Sequence, residues 1–191
     1  AAFKGHAEAV AVLLCATGTD VHAADQDGDT ALIAAASEGH AEVVSALLAA
    51  TGIDVNAADQ DGDTALVMAA SEGYTEVVAA LLGATGIDVN AATQDGRTAL
   101  IRAAAWGHTE VVVALLGATG IDVNVATEDG RTTLMRAAAQ GYVEVVAVLL
   151  GAAGIGVNMA ARDGHTAFIL AASEGYTEVV AVLLGATSID V

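Results

Sequence analysis

The sequence contains no proline, one cysteine and few aromatic residues, and each shortage limits what the protein can be. Because Cys15 is the only cysteine, no disulfide can form within the molecule, and its cysteine content gives no support for secretion. We therefore expect an intracellular, cytoplasmic location. With 3% aromatic residues against 55% hydrophobic residues, the core must consist mainly of Ala, Val, Leu and Ile. Small side chains of this kind suit thin layers and close contact between helices.

Basic residues are also scarce. The protein has 6 Lys and Arg against 24 Asp and Glu, for a formal net charge of -18. Nucleic-acid binding depends mainly on Lys and Arg contacts to phosphates, so this charge argues against nucleic acid as a partner. The same repulsion opposes anionic membrane surfaces. The charge favours solubility and basic partners.

No hydrophobic run is long enough to predict a membrane span. The longest uncharged stretch covers residues 145–161, between Glu144 and Arg162. It is interrupted by Gly151, Gly154 and Gly156, and it falls short of the roughly 18 apolar residues that a spanning helix requires.

What the sequence does have is a repeat. The dipeptide Asp-Gly recurs every 34 residues, at 27-28, 61-62, 95-96, 129-130 and 163-164. A fixed period of this length is typical of stacked units that cannot bury their apolar faces alone. We therefore expect residues 1–191 to form a single array, with a partial unit at each end. Its segments are 1–26, 27–60, 61–94, 95–128, 129–162 and 163–191.

Each unit predicts two short helices and an extended turn. In the unit 61–94, Thr64 is suited to cap a helix over residues 65–72 that ends at Gly73. Thr75 and Glu76 are then expected to supply a cap and a favourable first-turn charge for a second helix. That helix carries an apolar stripe at helical spacing. The stripe consists of Val77, Val78, Leu81 and Leu82.

These residues resemble the ankyrin repeat family over the whole sequence. The matching segments of one unit are Asp61-Gly62, Thr64-Ala65-Leu66, Ala69-Ala70, Gly73-Tyr74, Glu76-Val77-Val78, Leu81-Leu82 and Gly86-Ile87-Asp88-Val89-Asn90. The resemblance implies an all-α solenoid of helix-turn-helix units with extended turn fingers. Two features depart from the family: the period is one residue longer, and the usual Thr-Pro-Leu-His turn reads Thr64-Ala65-Leu66-Val67. Without that His, aliphatic contact should replace a polar link between units.

Comparing each column of the repeat argues against catalysis. His6, His40 and His108 share a column with Tyr74, Tyr142 and Tyr176, and tyrosine cannot replace a base at neutral pH. We expect these rings to bond to nearby backbone. The alternating aspartates at 25, 27 and 29 and at 59, 61 and 63 resemble a calcium loop, but the glycine is misplaced and the terminal Glu is missing. No enzyme, cofactor or metal site is predicted.

Partner information should lie where the copies differ. Arg97 and Arg131 occupy a turn position held by aspartate in earlier units, and Arg102 and Arg136 lie on the first helices that follow. The only tryptophan, Trp106, comes one helical turn after Arg102, and Gln140 is its equivalent in the next unit. The family resemblance implies that this face lines a concave groove. We therefore predict a protein or peptide partner, bound through an anionic segment by Arg97, Arg102, Trp106, Arg131, Arg136 and Gln140.

Several alternatives stay open. The arginines could instead neutralise nearby acids, for example Arg97 with Asp63 and Arg131 with Asp95 or Glu128. The protein could also be a fragment of a longer array, since neither end has the polar face of a terminal repeat. Such a fragment would be an assembly element that stacks end to end. An engineered scaffold is a third alternative, disfavoured by the irregular substitutions.

Overall fold

The structure is a computed structural model that describes residues 1–16 and 18–186. The last five residues of the predicted partial unit 163–191 lie outside the described residues. Within the described residues, one 3-10 turn, Ala2–Lys4, comes first, and the other elements are α-helices. The second helices of the units are α1 (Ala7–Cys15), α3 (Ala41–Leu48), α5 (Thr75–Leu82), α7 (Thr109–Leu116), α9 (Val143–Leu150) and α11 (Thr177–Leu184). The first helices are α2 (Ala31–Ser37), α4 (Ala65–Glu72), α6 (Ala99–Trp106), α8 (Thr133–Gln140) and α10 (Ala167–Ser173).

Threonine and glycine set the bounds of the first helices, as the sequence predicts. The side-chain oxygen of Thr64 accepts a hydrogen bond of 3.3 Å from the backbone N–H of Val67, and α4 ends at Gly73 with φ near 80°. Because φ is positive there, glycine is the residue that adopts the turn without strain. The prediction of a helix over residues 65–72 is confirmed.

The predicted cap of the second helix is wrong. Tyr74 occupies the capping position of α5, with φ −78° and ψ 81°, and that helix has no side-chain cap. Thr75 is already the first residue of the helix, whereas a capping side chain belongs to the residue just before it. The Ala41 and Val143 that begin α3 and α9 have no hydroxyl at all. Glu76 does lie in the first turn.

The core is a row of thin layers made of small aliphatic side chains. In the unit 61–94, Leu66, Val67 and Leu81 are at most 1% exposed. Ala69 and Ala70, fully buried, lie between them and allow neighbouring helices to approach closely. Val67 stands where the family has its turn histidine, and its burial agrees with the predicted aliphatic replacement.

Aromatic and imidazole rings occupy the joint between units. The ring of His40 donates from Nε2 to the carbonyl oxygen of Phe3 at 3.1 Å, and His108 donates likewise to Ser71 at 2.9 Å. Each ring lies against the glycine that ended the preceding first helix: a Cβ at Gly73 would come within 2.6 Å of the His108 ring. This confirms the predicted bond to backbone for His40 and His108.

Asparagine links successive loops more extensively than the sequence indicates. The side chain of Asn90 donates to the carbonyl of Gly120 and accepts from the backbone N–H of Asp122, both at 2.8 Å. Asn56 and Asn124 make the same two bonds one unit earlier and one unit later. The asparagine column therefore links each unit to the next.

The turn fingers are joined to one another through backbone. The N–H of Gln94 donates to the carbonyl of Asp61 at 3.0 Å, and Glu128 donates to Asp95 at 3.2 Å. An isolated antiparallel bridge closes each of the first four fingers, as between Ala92 and Thr98. Among the helices that the structure describes, none is long and apolar enough to cross a membrane.

Candidate functional site

The six predicted binding residues lie around one cavity. Arg97 and Arg131 stand at the turn tips, immediately before the threonines that cap α6 and α8. Arg102 and Arg136 lie in the middle of these two helices, and Trp106 and Gln140 are their last residues. All six line a cavity of about 210 Å³, which we call the arginine–tryptophan pocket. Its other lining residues are Ile101, Ala105, Ala139 and Tyr142.

The sequence did not lead to a prediction of those four residues as part of the site. Ala105 and Ala139 share a column with Ser37, Ser71 and Ser173, and their small side chains leave the space between Trp106 and Gln140 open. The ring of Tyr142 enters because it packs against Gly107 at the end of α6. The recurring ring column was the signal from which Tyr142 could have been found.

The turn arginines are paired with carboxylates, but the partners suggested by the sequence are wrong. Nε of Arg97 lies 3.0 Å from Asp95 and not beside Asp63. Arg131 contacts Asp129 through Nε and Asp163 through Nη2, both at 3.5 Å. Each arginine reaches the aspartate two residues earlier because both belong to one tight turn. Arg131 also reaches the finger of the following unit, not that of the preceding one.

The two helix arginines differ in how well they are paired. Nη2 of Arg136 donates to both carboxylate oxygens of Asp129, at 3.0 and 3.1 Å, and to the hydroxyl of Thr127 at 3.2 Å. Nη2 of Arg102 lies 3.6 Å from Asp63, beyond hydrogen-bond distance. Both arginine side chains are 23% exposed. The difference therefore comes from their partners and not from their accessibility to solvent.

These contacts shift the pKa values of the aspartates near the pocket. Burial raises the pKa of Asp63, and the charge of Arg102 offsets only part of that rise. A hydrogen bond from Thr93, with the charge of Arg97, lowers the pKa of Asp95. Burial pushes the pKa of Asp129 upward, yet hydrogen bonds from Thr127 and the Arg131 backbone and the charges of Arg136 and Arg131 bring it below its usual value. Asp63 is thus the poorly stabilised carboxylate of the three.

Trp106 gives the pocket an apolar wall. Its side chain is 60% exposed although it is the largest in the protein. A large aromatic residue left in water beside charged groups is characteristic of recognition surfaces.

Larger cavities occur on the side of the second helices, but they belong to the scaffold. Three of them, of about 630, 690 and 500 Å³, are lined by equivalent residues of successive units, such as Leu48, Leu82 and Leu150. Because they repeat with the 34-residue period, they do not distinguish one unit from another. The arginine–tryptophan pocket is lined by residues specific to two units.

The acidic triplets have a structural role. Oδ1 of Asp59 accepts hydrogen bonds of 2.8 Å from the backbone N–H groups of Asp61 and Asp63, and Asp25 does the same in the preceding finger. A carboxylate that closes its own turn in this way is oriented toward backbone. Within residues 1–16 and 18–186, no group of three or more His, Cys, Asp or Glu is placed to hold a metal ion.

Comparisons with known proteins agree with this architecture. A family model described as "Ankyrin repeats (3 copies)" matches residues 1–93, 54–127, 86–161 and 119–191. Among solved structures, the protein is similar to the crystal structure of EF0377, an ankyrin repeat protein, with a TM-score of 0.89 and 29% sequence identity. That match covers 96% of this protein and 94% of the other. No curated protein matches the sequence.

Proposed function

The chain belongs to the ankyrin repeat family, and we propose that it is a non-catalytic interaction module that binds a protein or peptide through the arginine–tryptophan pocket. Ankyrin repeats are generally protein–protein interaction modules. The proposal places the partner in the concave groove formed by the first helices and turn fingers, with the pocket as its energetic centre.

One observation carries the proposal: the residues that break the repeat come together in space. Four of the six basic side chains of the protein and its only tryptophan line one cavity, although they are spread over more than one unit of sequence. Arginine and tryptophan are enriched among the residues that dominate binding energy at interfaces. Their concentration in an otherwise acidic protein marks this surface as different from the rest of the array.

Charge reversal at the turn tips tests the proposal. Peptides selected from a random display library against the native protein would be tested on Arg97→Glu with Arg131→Glu, and binding should fall by about 100-fold or more. The matched control is Lys4→Glu with Arg162→Glu, which makes the same change in net charge with the two basic residues outside the pocket. Circular dichroism of both variants should show unchanged helix content. Equal binding to the two variants would exclude the pocket as the binding centre.

A second candidate function is end-to-end assembly, and one specific observation favours it. Ile169 on α10 is 43% exposed, whereas its equivalents are 1% exposed because the following unit covers them. Those equivalents are Ile33, Val67, Ile101 and Met135. At the opposite end, Leu13 is 51% exposed, whereas its equivalent Leu81 is fully buried. The described residues thus present both sides of the contact that joins neighbouring units. In head-to-tail stacking, the Ile169 side of one copy would pack against the Leu13 side of a second copy.

Light scattering over a concentration series tests assembly separately from groove binding. If copies stack, the average mass should rise with concentration, and Ile169→Glu should keep the protein monomeric without altering peptide binding. A constant monomer mass at every concentration would rule assembly out. The arginine variants serve as the reciprocal control, because they alter the pocket and leave both ends intact.

A further inference from the structure

We infer that Arg102 anchors a carboxylate of the partner beside Trp106, and that this carboxylate competes with Asp63, the poorly placed counter-ion of Arg102 in the free protein. The inference rests on the proposed function and assigns its ligand chemistry. It also separates Arg102, as the binding residue, from Arg136, as a brace of its own turn.

The separation comes from two equivalent arginines in different surroundings. Arg102 and Arg136 are one period apart and equally exposed, and the Nε of each is buried without a hydrogen-bond partner. Arg136 nevertheless donates three hydrogen bonds from Nη2, two of them to one carboxylate. The guanidinium of Arg102 donates no hydrogen bond to any residue that the structure describes. Of these two arginines, Arg102 therefore retains more hydrogen-bonding capacity for a carboxylate.

The turn fingers explain this difference. Asp129, seven residues before Arg136, turns toward that arginine while also contacting Arg131. The equivalent Asp95, seven residues before Arg102, pairs with Arg97 at 3.0 Å. Arg102 is consequently left with the preceding finger, where Asp63 stands. For Arg136 the corresponding residue of the preceding finger is Arg97, which cannot serve as a counter-ion.

Asp63 is a weak counter-ion for Arg102. Its Oδ1 is buried without a hydrogen-bond partner and lies 3.6 Å from Nη2 of Arg102. Burial raises the pKa of this carboxyl despite the nearby guanidinium. Each member of the pair is short of hydrogen bonds, so an incoming carboxylate that reaches Arg102 at ordinary hydrogen-bond distance gains a contact that Asp63 does not provide.

The pocket also limits what accompanies the carboxylate. A cavity of about 210 Å³ is large enough to take one side chain. Trp106, Ala105 and Ala139 give the pocket an apolar surface. The group that fits it is therefore a carboxylate next to a short aliphatic segment. Asp95 and Asp129 close to the pocket disfavour a dianion such as a phosphate. The side chain of a glutamate and the terminal carboxylate of a peptide both have the required chemistry.

The fluorescence of the only tryptophan reports binding at this site directly. Three short probes would be titrated: acetyl-leucyl-glutamate amide, its glutamine counterpart, and the glutamine probe with a free C-terminal carboxylate. We expect a saturable response to one or both carboxylate probes and at least about tenfold weaker binding of the neutral probe. The stronger of the two carboxylate probes identifies the source of the group.

Four variants then test the assignment of residues. Arg102→Gln should weaken the carboxylate probe by at least about tenfold, and Arg136→Gln, which removes a bracing residue of the same pocket, should weaken it by a clearly smaller factor. Arg162→Gln, outside the pocket, should change its affinity by less than about threefold. Asp63→Asn should tighten binding by about threefold or more, because it removes the competing carboxylate. Equal losses in the Arg102→Gln and Arg136→Gln variants, weaker binding of the Asp63→Asn variant, or equal affinity for the neutral probe would overturn the inference.

Failure of this inference is distinguishable from failure of the proposed function. If no probe gives a saturable response up to about 10 mM, Arg102 does not anchor a carboxylate. Library-selected peptides that still lose binding in the Arg97→Glu, Arg131→Glu variant would then leave the interaction function standing. If the selected peptides tolerate that double variant, the pocket is not the partner site and the proposed function fails with it.

Discussion

The turn fingers of the first two complete units and of the next two follow the same backbone path but carry different charges. In the finger of residues 58–64, Asp59 holds the turn by accepting two backbone N–H groups, and Asp63 stands at the tip. In the finger of residues 92–98, Thr93 accepts from the backbone N–H of Arg97, and an arginine stands at the tip. The same bridge closes both. Turn geometry and surface charge are therefore set by different positions, so one changes without the other.

The comparison also shows where each finger directs its charges. In the acidic fingers the carboxylates repel one another. Burial and the charges of Asp25, Asp59, Asp27 and Asp63 raise the pKa of Asp29. Arginine fingers are internally paired, with Asp129 contacting both Arg131 and Arg136. The pocket lies between the units of the two arginine fingers, and one of its lining residues, Arg102, also contacts Asp63 of the neighbouring acidic finger.

The largest difference between the regions should appear when equivalent aspartates are removed. Asp129→Ala deletes the partner of Arg136, and we expect a loss of about 1–2 kcal/mol, since charge-assisted bonds are worth about 1.5–3 kcal/mol but this carboxylate is half exposed. Asp61→Ala is the matched control, because within the described residues the side chain of Asp61 makes no hydrogen bond or ion pair. Its effect should stay within about 0.5 kcal/mol. Urea unfolding followed by circular dichroism measures both, and equal losses would contradict the comparison.

A smaller effect should follow from exchanging the residues that hold the turns. Asp59→Ala removes the acceptor of two backbone bonds, and we expect it to cost about 1 kcal/mol. Asp59→Thr introduces the residue found at position 93, which keeps a hydroxyl acceptor and removes one charge from an acidic finger. It should be neutral or slightly stabilising. Thermal unfolding of the pair decides the matter: if Thr costs as much as Ala, the two fingers are not interchangeable.

The smallest effect concerns pH, and its sign differs between the regions. The pKa of Asp63 is raised on folding, so its ionised form costs stability at neutral pH, and this cost disappears as pH falls through the folded pKa, above the ordinary 3.8. The pKa of Asp95 is lowered, so its contribution is present above 3.8 and is lost as pH falls through the folded value. At neutral pH, Asp63→Asn should therefore raise the unfolding midpoint and Asp95→Asn should lower it.

Both differences from the native protein should shrink as the urea titrations are repeated from about pH 7 down to about pH 3. An increase in either difference toward acid would show that the sign is wrong. Because both carboxylates are partly exposed, solvent screening should keep each change to a few tenths of a kcal/mol.

Periodicity made most of the fold predictable from the sequence. The helix over residues 65–72, its Thr64 cap and its Gly73 stop depend on local chemistry that a single unit contains. The cap at Thr75 was mispredicted because a threonine before an acidic residue looks like a capping position, whereas the preceding Tyr74 is fixed there by packing of its ring on Gly39. Contacts between units override a local preference at that joint.

The candidate site was predictable as a set of residues but not as a network. Columns that differ between units pointed to Arg102 and Trp106, and helical spacing placed them on one face. The sequence does not specify which aspartate each guanidinium reaches, because that depends on the relative position of neighbouring fingers. The difference between Arg102 and Arg136 therefore depends on the three-dimensional packing of the fingers and not on the repeat pattern alone.

The asparagine links have a consequence for how the array grows and folds. Asn56, Asn90 and Asn124 each bond to backbone 30 to 32 residues ahead, and the histidine bonds span 37 residues. Every joint thus closes a loop of nearly the same length, at nearly the same entropic cost, and involves only adjacent neighbours. Folding can start at any joint and extend in either direction. A whole 34-residue unit can accordingly be gained or lost without redesign of the others, which makes the number of repeats the property of this protein that is easiest to change.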